Sequence, residues 1–305
     1  VQTCALPIFL SVFFICLMGV FYLPRQGLNE KFLVLSALGA LFFLAYKLKP
    51  NSKDLTILDW SKLMFWSLVT HPLLDAHTTW GTQLFWPFDL RIAYQNIFVA
   101  DPFYTIPFLI CTTLVMFFKR TDNRRRMWNK AGLIISSFYM LLTIVFKYIT
   151  YVQFDKDLNS KGVQYINIDT KPTPLNSILW TANVETKEGY YVGYYSLFDE
   201  NNNINWGYYL KNHNLLGDLS KHDKIKRMIG IANGNFIITQ KQGELYFNDL
   251  RFGQSGLDAM NDEFIFQYRL VQKNGELEIK EVERTFKEGE NILLRLWNRI
   301  KGDGS

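Results

Sequence analysis

The chain has 305 residues, of which 49% are hydrophobic and 16% aromatic, and its formal net charge is +5. This composition excludes a disordered tail, a collagen-like repeat and a disulfide-stabilised miniprotein. The charge is unevenly divided, because residues 1–150 carry 14 basic and 7 acidic side chains whereas residues 151–305 carry 19 and 21. The two halves therefore have different physical character.

Long stretches without charge in the first half predict membrane-spanning helices. A helix rises 1.5 Å per residue, so it needs about 20 apolar residues to cross a bilayer. Four segments meet or approach this length with at most one ionisable acid: 1–24, 32–46, 92–118 and 131–146. A fifth, 57–76, begins with Asp59 and Lys62 and then becomes mostly apolar. Its alternative interpretation is an interfacial or re-entrant helix.

The segment 119–130 indicates the orientation, because it holds six positive charges and one negative charge in twelve residues. Such a segment stays in the cytoplasm. The preceding span therefore runs inward, the following one runs outward, and the chain after about residue 150 is extracytoplasmic. With Lys47, Lys49 and Lys53 also inside, 57–76 crosses outward, so five crossings fit the charges better than four. A nucleic-acid partner for the arginines of 119–130 is disfavoured, because basic loops between spans usually have this topological cause.

The second half predicts a mixed, mainly β domain. Runs rich in aromatic and β-branched residues favour strands at 178–184, 190–197 and 264–271. Turn signals separate the strands, and helices are expected near 219–231 and 291–302. The predicted fold is thus an α-helical polytopic membrane domain of four to five spans, residues 1–155, followed by an extracytoplasmic α+β domain, residues 156–305. The three cysteines all lie in apolar segments, so no disulfide framework is expected.

Residues that could bind a metal or take part in catalysis concentrate at 70–104. His71 and Asp75 are four positions apart, so on a helix they share a face and form a workable pair of ligands for a divalent metal. Asp101, near a span, must face a cavity, a cation or a metal, since an unpaired carboxylate in lipid is costly. The structural alternatives are a hydrogen-bonded His71, a helix-end Asp75 and an N-cap Asp101 before Pro102.

Three further features of this region have weaker functional interpretations. His77 is expected to be peripheral. The polar turn 78–83 either binds phosphate oxygens or simply reverses the chain. The aromatic residues Trp80, Trp86 and Tyr104 fit an interfacial belt.

Several strings together resemble the bacterial YdjM-type membrane-bound metal-dependent hydrolases. They are His71-Pro-Leu-Leu-Asp75, then Thr79, Gly81-Thr82, Pro87-Phe88 and Ile97-Phe-Val-Ala-Asp101-Pro102. The resemblance extends into the second half through 171–180 and 246–252, and we expect it to cover about four fifths of the chain. It implies an integral inner-membrane protein with a divalent-metal hydrolase site and an unestablished substrate.

The sequence departs from the family in one respect. The upstream Pro-Asp-x-Asp and His-Arg-Gly-x-x-His motifs, which would supply further metal ligands, do not occur in it. Because the chain also begins at Val1 rather than Met, we expect it to be an N-terminally truncated fragment that keeps part of its site and can be inactive.

The leading functional prediction is a metal-assisted hydrolase at the outer membrane surface. A divalent ion, Zn²⁺ by preference, would be held by His71, Asp75, Asp101 and N-terminal ligands, with Asp75 or Asp101 as the alternative general base. Its expected substrate is a phosphoester or a lipid headgroup. The competing prediction is a non-catalytic envelope protein whose exported domain binds a protein or glycan, with Tyr190, Tyr191, Tyr194 and Tyr195 as candidate surface. Alternation along the strand would place half of these tyrosines in the core. A transporter is a third, weaker alternative.

Overall fold

The computed structural model describes residues 56–88, 90–254, 263–273, 276–282 and 292–302. Two of the expected spans, 1–24 and 32–46, lie outside the described residues. The chain divides into two compact units, residues 1–74 and residues 75–305. The expected boundary at 155/156 falls inside a continuous helix, and the division into a membrane domain and an exported domain stays a prediction.

The first described helix, α1, is Ile57–Asp75. It begins with a reciprocal cap, because Asp59 N–H donates to Thr56 Oγ1 while Thr56 N–H donates to Asp59 Oδ2. Pro72 lies inside the helix, and its ring nitrogen has no hydrogen to donate to the carbonyl of the preceding turn. None of the α1 residues is buried. The expected helix at 57–76 is therefore present, and its membrane crossing stays a prediction.

Two antiparallel helices follow, α2 at Pro102–Phe117 and α3 at Asn123–Ser160. Asp101 and Asp122 cap their N-termini through their side chains. The helices approach closely at Gly132, where a Cβ would lie 2.9 Å from that of Cys111. The expected span at 92–118 is helical only from Pro102, because Asp101-Pro102 is a strong helix start and residues 92–100 form a loop.

Among the described residues, α3 is the one helix long and apolar enough to cross a bilayer, with 38 residues. The 16-residue α2 is apolar but shorter. Both helices expose large apolar side chains along their length, among them Phe103, Leu109, Leu133, Phe138 and Leu141. The described part of the chain is thus an α+β fold with one clear candidate span, and the count of four to five spans stays a prediction.

Two four-stranded antiparallel sheets form the second half, each with its strands in sequence order. The first sheet holds β1 Asn167–Pro172, β2 Leu179–Glu185, β3 Gly189–Ser196 and β4 Trp206–Leu210. The second holds β5 Phe236–Lys241, β6 Glu244–Gln254, β7 Phe264–Lys273 and β8 Glu276–Glu281. A 3₁₀ helix at His213–Lys221 and helix α4 at Asp223–Ile231 connect the sheets, and α5, Ile292–Ile300, ends the described chain.

Three apolar clusters arrange these elements in layers. The first lies between the two sheets and includes Tyr190, Tyr194, Leu250 and two residues of α5. The second joins the outer face of the second sheet to α4. The third joins the outer face of the first sheet to the last turns of α3 through Phe154 and Leu158. The order is therefore helix, sheet, sheet, helix, and both faces of the first sheet are covered.

Local turn chemistry explains the hairpins. Gln242 and Gly243 join β5 to β6 with φ of 53° and 83°, the left-handed pair that a tight two-residue hairpin requires. The expected strands at 178–184, 190–197 and 264–271 are confirmed as β2, β3 and β7. The helices expected near 219–231 and 291–302 are confirmed within a few residues.

Candidate functional site

Asp101 is the most fully engaged of the three predicted site residues. Its side chain caps α2, with Oδ1 accepting from Phe103 N–H at 2.8 Å. Its Oδ2 accepts from the hydroxyl of Tyr139 at 3.0 Å and from the hydroxyl of Ser177 at 2.7 Å. The residue is 1% exposed. Protein donors thus account for the burial of this carboxylate, as the N-cap interpretation of the sequence predicts.

Hydrogen bonds within the loop that carries Ser177 hold it in the conformation that makes this contact. Asn176 orders it, because its Oδ1 accepts from the backbone N–H groups of Ile178 and Leu179 while its Nδ2 donates to Thr173 Oγ1. The Ser177 carbonyl in turn accepts from Trp180 Nε1 at 3.0 Å. The string 171–180 therefore holds a serine hydroxyl against helices α2 and α3.

A second polar chain links the loop after α1 to α3. His77 Nδ1 lies 2.8 Å from Asn96 Oδ1, and Asn96 Nδ2 donates to Thr143 Oγ1 at 2.8 Å. Thr143 donates its own hydroxyl to Met140 O, so it must accept from the amide, and the carboxamide oxygen must face the imidazole. Nδ1 of His77 therefore carries the proton. His77 thus has a structural role, because it bonds to Asn96, a residue that is 1% exposed, and its peripheral position relative to the metal site stays a prediction.

The other two predicted ligands, His71 and Asp75, lie on α1, four positions apart in its last turns. His71 is exposed and Asp75 is half-buried. The Asp75 carbonyl ends the helix by accepting both the N–H and the hydroxyl of Thr78. The helix-end interpretation of Asp75 thus describes its backbone, and both His71 and Asp75 take part in further interactions.

The polar turn 78–83 reverses the chain. Thr82 and Ile92 form an isolated antiparallel bridge, each N–H donating to the other carbonyl at 2.9 Å. Gly81 has φ of 61°, and a Cβ there would lie 2.5 Å from Ile92 O. Only glycine fits this position.

Residues 30–153 match the YdjM inner membrane protein family. The resemblance inferred from the motif strings is therefore confirmed over the segment that holds His71, Asp75 and Asp101. The match ends at residue 153, so it does not include 171–180 or 246–252. No curated protein and no solved structure matches the chain.

The YdjM match places the matched segment in a family of inner-membrane proteins, which supports association with a lipid bilayer. Within the described ranges, however, no group of three or more His, Cys, Asp or Glu side chains is arranged to hold a metal ion. Three hydrogen bonds from the protein already occupy the Asp101 carboxylate, one at Oδ1 and two at Oδ2. The assignment of Zn²⁺ to His71, Asp75 and Asp101 stays a prediction.

The string 246–252, which lies outside the family match, has a packing role in the β-domain. Arg251 forms a buried ion pair with Asp249 at 2.7 Å, and its guanidinium lies 5.1 Å from the ring centre of Phe252. Trp80 packs on Phe252 with ring centres 4.5 Å apart. The loop 76–100 is therefore tied to the second sheet as well as to α3.

A cleft of about 640 Å³ opens on the outer face of the first sheet, beyond the end of α3. Segment 161–166 forms one wall, and Tyr191, Tyr208 and the turn between β2 and β3 form the other. The two tyrosine rings lie 4.6 Å apart at 44°. Tyr208 is 44% exposed. Its hydroxyl lies over Gly189, where a Cβ would approach it to 2.9 Å, so the absent side chain makes room for the ring.

The rest of the cleft is polar. Lys187 and Glu188 are exposed at the turn, and the Tyr165 hydroxyl donates to Asp155 Oδ1 at 2.5 Å. That hydrogen bond raises the pKa of Tyr165 to about 12. Of the four tyrosines expected as a binding surface, Tyr190, Tyr194 and Tyr195 are buried, and Tyr191 alone reaches the cleft. Tyr208 is the exposed aromatic residue that the sequence analysis missed.

Proposed function

We propose that the chain is a multi-pass inner-membrane protein that anchors an extracytoplasmic β-domain. We further propose that this domain binds a glycan of the cell envelope in the cleft lined by Tyr191 and Tyr208. The observation that carries the proposal is the continuity of α3. One unbroken helix runs from the basic segment, through the uncharged stretch 131–146, into the apolar core of the β-domain at Phe154 and Leu158.

The length of α3 supports the membrane placement. Its 38 residues make about 57 Å of helix, whereas a hydrocarbon core is about 30 Å thick. The uncharged stretch ends at Lys147, so the last three to four turns extend beyond the bilayer. Those turns are the ones that pack against the first sheet.

The charges support the orientation. The segment 119–130 lies at the end of α2 and the beginning of α3, and its six basic residues favour the cytoplasm. The opposite end of α3 is then outside, and the β-domain with it. The five-crossing topology, with outward crossings at 57–76 and α3, agrees with this orientation, so the proposal includes it.

The size and the lining of the cleft are compatible with a glycan. A volume of about 640 Å³ lies within the range of small-ligand sites, roughly 300–1,000 Å³. The exposed Tyr208 ring offers an apolar face for a sugar ring, while Lys187 and Glu188 offer a donor and an acceptor for hydroxyl groups.

Binding by the full chain in lipid nanodiscs tests the proposal. The probes are the N-acetylglucosamine–N-acetylmuramic acid disaccharide and a soluble envelope polysaccharide, titrated by calorimetry. Tyr208→Ala is expected to weaken binding about fivefold, since an aromatic contact contributes about 1 kcal/mol. Leu210→Ala is the matched control, because Leu210 is 51% exposed on the same strand but does not line the cleft. The proposal would be contradicted if the full chain bound neither probe, or if Tyr208→Ala bound with the same affinity as the unchanged chain.

A second candidate function is metal-dependent hydrolysis of a phosphoester or lipid headgroup at the outer membrane surface. The resemblance of the motif strings to the YdjM-type hydrolases favours it, as does the placement of His71 and Asp75 one turn apart on α1.

Metal content of the purified full chain distinguishes the two candidates. The hydrolase proposal expects a stoichiometric divalent metal that is lost in His71→Ala and in Asp75→Ala but kept in His213→Ala, a histidine of the β-domain. If the purified chain holds no metal but still binds the glycan, the hydrolase proposal fails and only the glycan-binding proposal stands. Metal retained in both α1 variants would contradict the role of these ligands.

A further inference from the structure

The loop between α1 and α2 carries a cluster of large apolar side chains at its tip. Phe85 is 57% exposed, Trp86 is 81% exposed, Phe88 is 72% exposed and Leu90 is 56% exposed. We call these four residues the aromatic tip. Single exposed apolar residues are ordinary, but four of them within six positions form an exposed apolar cluster. Such a cluster is typical of a surface that contacts a protein or a membrane.

The base of the loop is firmly held, so the position of the tip is defined. The Thr82–Ile92 bridge closes the tip, and Tyr94 N–H donates to Ala76 O at 2.7 Å. Asn96 donates to Thr143, and Lys147 Nζ donates to Tyr94 O at 2.6 Å. The loop is therefore fixed to α3 between Thr143 and Lys147.

That attachment point marks a boundary along α3. Residues 131–146 are uncharged, and Lys147 is the first charged side chain after them. A helix that spans a bilayer leaves the hydrocarbon where its uncharged stretch ends. The loop base thus lies at the depth of the membrane-water interface, which is the depth where tryptophan is enriched in membrane proteins.

We infer that the aromatic tip inserts into the outer interfacial region of the bilayer. The side chains that continue from it are also exposed and apolar, since Val99 is 61% exposed before α2 and Phe103 is 55% exposed in its first turn. Exposed apolar side chains thus occur both at the tip and at the start of α2. Trp80, at the base of the same loop, packs on Phe252 of the β-domain, so insertion of the tip holds that domain at a fixed height over the membrane.

The emission of Trp86 tests this inference in the full chain reconstituted in nanodiscs of phosphatidylethanolamine and phosphatidylglycerol. The difference between the emission of the unchanged chain and that of Trp86→Phe isolates the signal of this residue, and the replacement keeps an aromatic ring. Nanodiscs with lipids brominated at carbons 6 and 7 report contact with lipid, and iodide in the buffer reports contact with water. Trp297→Phe gives the matched signal of a residue that is 55% exposed on α5.

The Trp86 signal is expected to fall by about half or more in the brominated nanodiscs, and iodide is expected to quench it several-fold less than N-acetyltryptophanamide in the same sample. Quenching by iodide as strong as that of the free analogue would overturn the inference, because the tip would then lie in water. Protection from both quenchers would also overturn it, because the tip would then be covered by protein.

Discussion

The Ser177 hydroxyl donates a 2.7 Å hydrogen bond to the Asp101 carboxylate, although the two residues are 76 positions apart in the sequence. Asp101 begins α2, and Ser177 lies in the loop between β1 and β2. The same carboxylate accepts from Tyr139 on α3. One buried acid thus connects two helices of the YdjM-matched segment to the β-domain.

Replacing Asp101 with Ala is expected to destabilise the chain by about 3–7 kcal/mol. The variant loses a helix cap, which contributes about 1 kcal/mol, and leaves the hydroxyls of Tyr139 and Ser177 without an acceptor, at about 1–3 kcal/mol each. Asp122→Ala is the matched control, because Asp122 caps α3 and its carboxylate bonds to the neighbouring Arg124. Thermal unfolding in detergent measures the stability of both variants. Equal destabilisation of the two variants would show that Asp101 is a simple cap.

Phe154→Ala is expected to destabilise the β-domain by about 3–5 kcal/mol, because a fully buried aromatic side chain leaves a large cavity. Phe154 is 0% exposed and packs edge-on against Tyr195 and Trp206. On the same helix, Phe138 is 66% exposed within the uncharged stretch, so Phe138→Ala is expected to change the stability little. Chemical denaturation followed by tryptophan emission compares the two. A similar loss of stability in both variants would contradict the different environments assigned to the two parts of α3.

Asn96→Ala is expected to cost about 2–3 kcal/mol, because it removes the acceptor of His77 Nδ1 and the donor to Thr143 inside a buried site. Asn96 and Thr143 are 1% and 0% exposed. Asn159→Ala removes an exposed hydrogen bond to Asp155 and should change the stability by less than about 0.5 kcal/mol. Hydrogen exchange of residues 90–100 provides a local readout. Unchanged exchange in Asn96→Ala would argue against this polar chain as the support of the loop.

The hydrogen bond from Tyr165 to Asp155 predicts a pH dependence at the alkaline end. Because the folded chain raises the pKa of Tyr165 from 10.0 to about 12, the native state holds this proton more tightly than the unfolded state. The resulting stability is fully present below pH 10 and is lost as the pH rises toward 12. The difference in stability between the unchanged chain and Tyr165→Phe should therefore shrink over that interval. A difference that stays constant from pH 9 to 12 would contradict the assigned bond.

Local patterns in the sequence predict most of the elements. The uncharged stretches locate α2 and α3, the aromatic and β-branched runs locate three strands, and Asp101-Pro102 marks a helix start. The burial of the tyrosines was harder to predict. Alternation assigns half of them to a solvated face, but α3 covers the outer face of the first sheet, so Tyr195 is buried as well as Tyr190 and Tyr194.

The contacts around the candidate site depend on residues distant in sequence, which local periodicity does not report. Tyr139 and Ser177 carry no signal of their own, since a tyrosine in an apolar helix and a serine in a loop are ordinary. Asn96 offers a weak one, as one of two adjacent amides, Gln95 and Asn96, in an otherwise mostly apolar run. The partner of each is defined only when α2, α3 and the β1–β2 loop come together.

The central claim is that α3 crosses the inner membrane and carries the β-domain outside. Labelling of single cysteines in intact cells with a membrane-impermeant maleimide tests it most directly, in a chain whose Cys4, Cys16 and Cys111 are replaced by serine. Gln242→Cys, in the exposed β5–β6 turn, is predicted to label in intact cells, whereas Thr121→Cys, in the basic segment, is predicted to label only after lysis. Protection of Gln242→Cys together with labelling of Thr121→Cys in intact cells would contradict the orientation, and labelling of both before lysis would contradict the crossing.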